Sequence, residues 1–374
     1  MTEVTRKKGL HLLIICRMSN TKLGQKISAL QELKRVKKIT LVRRESYSGN
    51  KIESYSVPAW AASYRVLSDL YRAFLSFLLC LKNKPDIIIS FYLYYHGLIA
   101  WLLGKIFRIP VIQVLIGTDL EKSLRSRRMI SILRSADVVA VEGQYSAERL
   151  FSAGLNRSKI LWPTTVFKIP DYIPFTNQKA DFDLIFVGSL VNVKRIDRLL
   201  RITGALKKKD KKIRLAIVGN GPLRTSLEKL TCHLGIEDNV TFCGAVSNSE
   251  VAGYLNRSKV FIMTSETEGL PVAMIEALSC GLPVVVPDVG DIRAVVTHGK
   301  NGFLVDFSNE YAVVKALWKI LTDVTYYNKL RIGAIKTRAK LDYEYSLEGV
   351  SKIWDRAIDL VYGEKNLSLF SRRQ

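Results

Sequence analysis

The stretch Thr264-Ser265-Glu266-Thr267-Glu268-Gly269-Leu270-Pro271-Val272-Ala273-Met274-Ile275-Glu276-Ala277 carries more chemistry than any other in this chain of 374 residues. It follows an apolar run over 259–263 and enters a second over 272–280, so it reads as the loop from a buried strand into a helix. Pro271 suits the first turn of that helix. Glu268 sits just before the helix start and Glu276 two turns further on. Gly269-Leu270 would turn free N–H groups toward a ligand. Glu276 precedes Ala277-Leu278 on an otherwise apolar helix, where a carboxylate is costly without a partner. A pair of ribose hydroxyls would satisfy it, as acidic residues do in dinucleotide sites. The plainer reading is two exposed glutamates on a helix.

Working outward, short apolar runs alternate with amphipathic stretches along the whole chain. Strands are predicted at 10–16, 38–43, 86–91, 111–116, 137–141, 183–188, 213–218, 239–242, 259–263, 283–286 and 302–305. Helical patterns fill the intervals: 24–36, 64–82, 97–107, 123–134, 144–152, 194–208, 223–233, 247–256, 272–280 and 308–321, then 325–340 and 344–362. Two-sided apolar strands such as Leu184-Ile185-Phe186-Val187 suit a parallel sheet covered on both faces. The alternation means βαβ units and a doubly wound α/β architecture. It occurs twice, on either side of a segment near 163–180 broken by Pro163, Pro170, Pro174, Asn177 and Gln178. The expectation is two Rossmann-like domains facing each other across a cleft, 1–170 and 171–342, with a C-terminal helix and basic tail (343–374) packing back across it.

Apolar residues make up 48 % and charged residues 24 %, which excludes a disordered polyelectrolyte. The formal net charge of +23 is the deviation, and it points to anionic partners: phosphate-bearing ligands, nucleic acid or an anionic membrane face. Residues 1–170 hold 28 Lys+Arg against 11 Asp+Glu, an excess of 17; the rest of the chain carries 29 against 23, an excess of 6. The two domains therefore have different jobs. Cys16, Cys80, Cys232, Cys243 and Cys280 show no CxxC spacing and each sits in an apolar stretch, so five reduced core thiols are expected. Arg6-Lys7-Lys8 before Gly9–Cys16 reads as the start of a first strand, since Cys16-Arg17-Met18 supplies no cleavage site. The apolar segment 86–104 holds Ser90, three tyrosines and His96, so it reads as strand, turn around Tyr94–Gly97, and helix, not as a membrane span.

Doubly wound sheets bind ligands at the carboxyl ends of their strands. After 183–188 comes Gly188-Ser189-Leu190, then Lys194-Arg195 at a helix start. Two cations in a first turn oppose the helix dipole, so an anion should compensate them, and phosphate is the favoured reading. After 213–218 comes Gly219-Asn220-Gly221-Pro222-Leu223, where glycine allows close backbone approach to a ligand; a turn and helix start is an equally good account. Phe242-Cys243-Gly244-Ala245-Val246 is a strand and Gly turn where a flat base could lie. Asp181-Phe182-Asp183 is a DxD triplet, but it starts a strand, so it reads as surface chain and not as a metal site.

The Glu268-x7-Glu276 spacing with its Gly-Leu-Pro, followed by Gly281-Leu282-Pro283-Val284-Val285, resembles the retaining GT-B-fold glycosyltransferases of family 4. Gly188-Ser-Leu…Lys194-Arg195, Val218-Gly-Asn-Gly-Pro-Leu223, Phe242-Cys-Gly244, Asn301-Gly-Phe-Leu-Val305 and Gly117-Thr118-Asp119 stand in the family's order. The resemblance implies a nucleotide-diphosphate sugar held mainly by the second domain, with Gly188, Ser189, Lys194, Arg195, Gly219, Asn220, Gly244, Val246, Glu268, Gly269, Leu270, Pro271 and Glu276 around it. Glu276 would hold the ribose, Glu268 the transferred sugar, and Lys194 with Arg195 or Ser189 the diphosphate. These would act with no metal and no other cofactor, since lysine and helix dipoles carry the charge. No carboxylate of these motifs is placed for covalent attack.

Departures from the family pattern fall mostly on the acceptor side. Ser189 stands where arginine is common, and Arg195 where glycine is. Ile116 stands where a histidine often precedes Gly-x-Asp, so His96 is the candidate replacement. Gly24 alone occupies the first loop (17–24), and Gly290-Asp291 replaces Gly-Gly. Gly24, His96 and Asp119 are thus the acceptor-side candidates. The basic first domain and its apolar helix Tyr71–Leu81 suggest docking on an anionic bilayer with a lipid-linked or oligosaccharide acceptor, hence a cytoplasmic protein at the inner membrane face. The alternative is that 71–81 is core. The rival functions are a soluble-acceptor sugar-phosphate synthase of the same fold and a basic nucleic-acid-binding protein. The second lacks any zinc-finger, ribonucleoprotein or separate helix-turn-helix pattern.

Overall fold

The computed structural model describes residues 9–18, 20–164, 180–340 and 343–370. They form two compact units: the described residues of Met1–Val166 with Glu344–Gln374, and those of Phe167–Tyr343.

The first unit runs β1 (Leu10–Ile15), α1 (Asn20–Glu32), β2 (Val36–Arg43), β3 (Ile52–Ser56), α2 (Ala59–Ala62), α3 (Arg65–Asn83), β4 (Ile87–Phe91), α4 (Leu98–Phe107), β5 (Val111–Val114), α5 (Thr118–Leu124), α6 (Arg127–Arg134), β6 (Val138–Ala140), α7 (Gln144–Ser152) and β7 (Ile160–Leu161). Its strands pair in parallel in the order β3-β2-β1-β4-β5-β6-β7. The second unit runs β8 (Phe182–Val187), α8 (Ile196–Lys207), β9 (Leu215–Val218), α9 (Arg224–His233), β10 (Val240–Gly244), α10 (Asn248–Asn256), β11 (Ser258–Ile262), α11 (Val272–Ser279), β12 (Val284–Pro287), β13 (Gly302–Val305), α12 (Glu310–Thr322) and α13 (Val324–Lys340). Its parallel order is β10-β9-β8-β11-β12-β13. The last helix, α14 (Tyr343–Phe370), returns to the first unit: Val350, Trp354, Ala357, Ile358 and Val361 are buried, and Arg35 pairs with Asp355 and Asp359 at 2.7 Å.

Each sheet is buried on both faces. Leu184 and Phe186 of β8 point into one apolar layer with Leu199 and Leu317, while Ile185 points into the opposite layer with Met274 and Ala277. Alternation within an all-apolar strand is what a two-sided core requires, at about 1.5–3 kcal/mol for each large side chain withdrawn from water. In both units the strand order reverses beside the first strand: between β1 and β4, and between β8 and β11. Such reversals open a crevice at the carboxyl ends of the two strands.

Several expectations need correction. Helix α1 starts at Asn20, so Gly24 lies within a helix and not in a first loop. The helix expected over 123–134 is two, α5 and α6, with the Ser126 side chain capping the second by accepting from the Met129 N–H. Strands β3 and β7 were not expected. Cys16, Cys80 and Cys280 are buried, but Cys232 is exposed and Cys243 half-buried; all five are free thiols. Residues 86–104 form strand, turn and helix as read, and among the described residues no helix is long and apolar enough to cross a membrane. The breakers Pro170, Pro174, Asn177 and Gln178 lie outside the described residues, as does the basic tail beyond 370.

Helix α3 inverts the usual arrangement. It buries Ser68, Arg72 and Ser76 beside Leu79 and Cys80, and exposes Val66, Leu67, Leu70, Phe74, Phe77, Leu78 and Leu81. The buried Arg72 guanidinium bonds the Ser68 carbonyl at 3.2 Å, the Cys16 carbonyl at 3.4 Å and Asp69. Trp60 and Tyr64 extend the exposed apolar surface on one side, and Leu102 and Ile106 of α4 on the other, where Phe77 meets Phe107 at 5.3 Å.

Candidate active site

In the second unit the loops flanking the reversal are 188–195 after β8 and 263–271 after β11. Backbone bonds staple them together. The Glu266 N–H donates to the Val193 carbonyl at 2.9 Å, and Thr264 Oγ1 lies 2.9 Å from the carbonyl oxygens of both Lys194 and Arg195. The closure brings Lys194 Nζ to 2.6 Å from Glu268 Oε1, with the side chains 22 % and 11 % exposed. An ammonium carries three donors. One goes to Glu268, which leaves two for an anion.

Arg195 sits in the left-handed region at φ 49°, immediately before α8. Its guanidinium takes both Asp197 oxygens at 3.0 Å and Glu266 Oε1 at 2.5 Å. Bonding to Asp197, then to Glu266, holds its pKa above the ordinary arginine value. The anion expected to compensate Arg195 at this helix start is therefore present in the chain itself, as two carboxylates. Lys194 is the cation of the pair that retains donors for a ligand.

The remaining strand ends are tied to the same platform. Gly188 N–H donates to Val218, Leu190 N–H to Asn220 and Gly219 N–H to Gly244, at 2.9, 3.0 and 2.7 Å. A Cβ on Gly219 (φ 137°) would lie 1.9 Å from the Gly188 carbonyl oxygen. The close approach read at Gly219 is thus to the neighbouring loop. Ser189 and Asn220 are exposed and Val246 is half-buried. Gly269-Leu270-Pro271 leads into α11, whose Glu276 is half-buried. Behind Glu268 the Asp291 N–H donates to the Gly269 carbonyl at 2.9 Å, and a Cβ on Gly290 (φ 59°) would fall 2.2 Å from the Glu268 carbonyl oxygen. Thr264, Gly290 and Asp291 thus position the glutamate loop. Thr264 was signalled by its place after an apolar run, and Gly290-Asp291 by standing in place of Gly-Gly. The DxD carboxylates lie at the opposite, amino end of β8 and are each paired, Asp181 with Arg257 and Asp183 with Lys259 at 2.7 Å.

The reversal in the first unit carries its own cavity, about 520 Å³, lined by Arg17 after β1 and by residues after β4. Two of these, Tyr92 and Tyr95, hold positive φ (72° and 65°), the kind of backbone strain that collects at functional sites. His96 is 5 % exposed and neither ring nitrogen has a hydrogen-bond partner among the described residues. Burial, with Arg72 and Arg17 nearby, lowers its pKa to about 3. Asp119, at the start of α5, lines the same cavity; its Oδ2 accepts the Leu93 N–H at 2.6 Å and burial pushes its pKa up to about 6. His96 and Asp119 are therefore together. Gly24 does not join them: on α1 it faces Tyr47, whose hydroxyl would lie 3.2 Å from an added Cβ. Arg17, Arg65 and Lys122 were missed as lining residues. For Arg17 the signal was its position directly after the first strand of the unit.

The buried neutral His96 fixes a pH dependence of stability. Its folded pKa lies below the unfolded value near 6.5, so the unfolded chain takes up a proton that the fold refuses. The stabilisation is complete above pH 6.5 and is lost on acidification toward pH 3. From pH 7 to pH 5 wild type should lose roughly 2 kcal/mol more than His96→Gln, measured by urea titration at both values. Parallel losses in the two proteins would refute the buried neutral state.

Residues 172–337 match the family model of glycosyl transferases group 1. A glycosyltransferase from Haemophilus influenzae, itself uncharacterized, is 32 % identical over 172 residues, 46 % of this chain and 47 % of its own. A GDP-mannose-dependent alpha-(1-6)-phosphatidylinositol monomannoside mannosyltransferase of Mycolicibacterium smegmatis is 31 % identical over 147 residues, 37 % of this chain and 38 % of its own. The matched stretch thus spans less than half the length of these relatives. The crystal structure of Anabaena Alr3699/HepE in complex with UDP and glucose superposes with a TM-score of 0.72 at 15 % identity, covering 92 % of this chain and 99 % of its own. The two parallel, Rossmann-like sheets are those of the GT-B architecture. The second unit is the part of the chain that matches the group 1 family model, and these likenesses support glycosyltransferase function for the chain.

Proposed function

We propose that this protein moves a hexose from a nucleotide-diphosphate sugar to an acceptor hydroxyl, with retention of anomeric configuration, in the assembly of a surface polysaccharide, lipopolysaccharide or glycolipid. The observation that carries this reading is the Lys194–Glu268 pair, 2.6 Å apart at the strand-order reversal of the unit that matches the group 1 family model. Lys194 and the loop amides stabilise the departing diphosphate, the charge work that a metal would otherwise do. Glu268, with the Gly269 and Leu270 backbone, holds hydroxyls of the transferred sugar. Glu276 holds the ribose, and Arg195 acts as a positioning residue that fixes the Lys194 turn through Asp197 and Glu266. The acceptor oxygen attacks the anomeric carbon on the face that the diphosphate leaves. Its proton passes to a departing diphosphate oxygen, and the sugar carries oxocarbenium character between the two bonds.

A panel of UDP, GDP, ADP, CMP and their sugar conjugates, read by thermal denaturation of wild type and Glu276→Ala, tests the donor site. A ligand at 100 times its dissociation constant adds about 2.7 kcal/mol of stability. One nucleotide class should raise the melting temperature of wild type and leave the variant nearly unmoved. A panel that shifts neither protein would remove the donor site.

The first unit is the acceptor and membrane side of this reading. Support comes from the outward apolar face of α3, bordered by the exposed cations Lys82, Lys84, Lys105 and Arg108. Such a face suits the headgroup boundary of an anionic leaflet. Flotation with vesicles containing phosphatidylglycerol should carry wild type upward. Leu70→Glu with Phe74→Glu, each residue worth about 1.5–3 kcal/mol when buried, should abolish it. Equal flotation of both proteins would dissociate this face from the membrane.

A further inference from the structure

From the cavity at the strand-order reversal of the first unit, and resting on the transferase reading above, we infer that the acceptor is a sugar bearing an anionic group, a phosphate or a carboxylate. Two independent observations meet there. The first is His96, buried in the wall with both ring nitrogens lacking a protein partner among the described residues. A buried imidazole without hydrogen bonds is costly; both nitrogens are closed to solvent, so a ligand hydroxyl reaches them when the neighbouring wall side chains move aside. The second is charge. Arg17, Arg65 and Lys122 line the cavity, all three are exposed, and none forms an ion pair among the described residues. The cavity carboxylates do not cancel all three: Asp69 is taken by Arg72, and Asp119, which faces Lys122, offsets one charge, so the cavity stays net cationic.

The remaining wall suits a sugar ring. Tyr92, Tyr94 and Tyr95 line the cavity, and the Arg65 guanidinium lies 5.4 Å from the Tyr95 ring centroid. Aromatic faces and single polar groups recognise the ring, and the three cations recognise its anionic substituent. The same chemistry arises in a soluble phosphorylated or acidic sugar and in a lipid-linked hexosyl phosphate, so the test carries probes of each kind.

The test is calorimetric titration of the full-length protein with methyl glucoside, glucose 6-phosphate, glucuronate and methyl glucosyl phosphodiester. At least one anionic probe should bind about tenfold or more tightly than the neutral glucoside. Arg17→Ala with Arg65→Ala, both surface changes, should erase that preference. The ring resonances of His96, one of four histidines, should shift on binding of the preferred probe. Preference for glucose 6-phosphate or glucuronate names a soluble acceptor, and preference for the phosphodiester a lipid-linked one; each supports the inference. Equal binding of neutral and anionic probes, or an unchanged preference in the double variant, overturns it. Nucleotide binding is read in the same samples. Nucleotide bound without anionic preference removes this inference alone, whereas no nucleotide bound by either protein removes the transferase reading and with it the acceptor role of the cavity.

Discussion

Lys194→Ala is expected to lower kcat/KM for sugar transfer by about 10²–10³, with little change in stability. The diphosphate leaves with charge that the two free donors of the Lys194 ammonium meet, and removing one such preorganised donor costs about 2.7–4 kcal/mol of transition-state stabilisation. Loss of the partly exposed pair with Glu268 adds only about 1 kcal/mol of instability. Arg195 stands next in sequence but cannot step in, because Asp197 and Glu266 already hold its guanidinium. Steady-state kinetics alongside thermal denaturation separate the two effects. Wild-type kcat/KM in a folded Lys194→Ala protein would place the leaving-group charge on another residue.

Gly290→Ala should lower the proposed transfer activity by a different route. The added methyl would sit 2.2 Å from the Glu268 carbonyl oxygen and 2.7 Å from that of Gly269, on backbone already at φ 59°. Neither neighbour is a flexible side-chain end, so the Glu268 loop must move. Overpacking of this kind costs about 1–3 kcal/mol, and an ångström of displacement at a positioned group costs about a hundredfold in rate. The expectation is a melting temperature lower by several degrees and activity reduced about a hundredfold, with a larger loss in kcat than in nucleotide affinity. An active Gly290→Ala protein would show that the Glu268 loop does not set the rate.

The second unit was the more legible in sequence. Its strands are continuous apolar runs because both faces of the sheet are covered, and its site residues follow those runs directly. What escaped there depended on contact between loops: nothing in Lys194-Arg195 alone says that Asp197 and Glu266 will claim one cation and leave the other. In the first unit β3 was missed because Ile52–Ser56 is a half-exposed edge strand, IESYS, without an apolar run. Gly24 was misplaced because glycine was weighed as a loop marker, while α1 already starts four residues earlier. For α3 the apolar spacing was plain, but spacing does not say which stripe faces inward. The buried Arg72 decides that, through its bond to the Cys16 carbonyl, which only the folded chain brings within reach. His96 was visible as a histidine after a strand, but its missing partners are a property of the packed wall.

The first unit is assembled from both ends of the chain, with the segment Phe167–Tyr343 between them. During synthesis its strands emerge before that segment, yet Trp354 and the apolar face of α14 that complete its core emerge after it. At ribosomal speeds of about 5–20 residues per second the nascent sheet waits on the order of ten seconds or more for its final helix. The second unit, continuous in the chain, can close during that interval. Through it the uncovered core of the first unit and the apolar face of α3 are open together, which makes this the half of the protein that most needs chaperone cover before release from the ribosome.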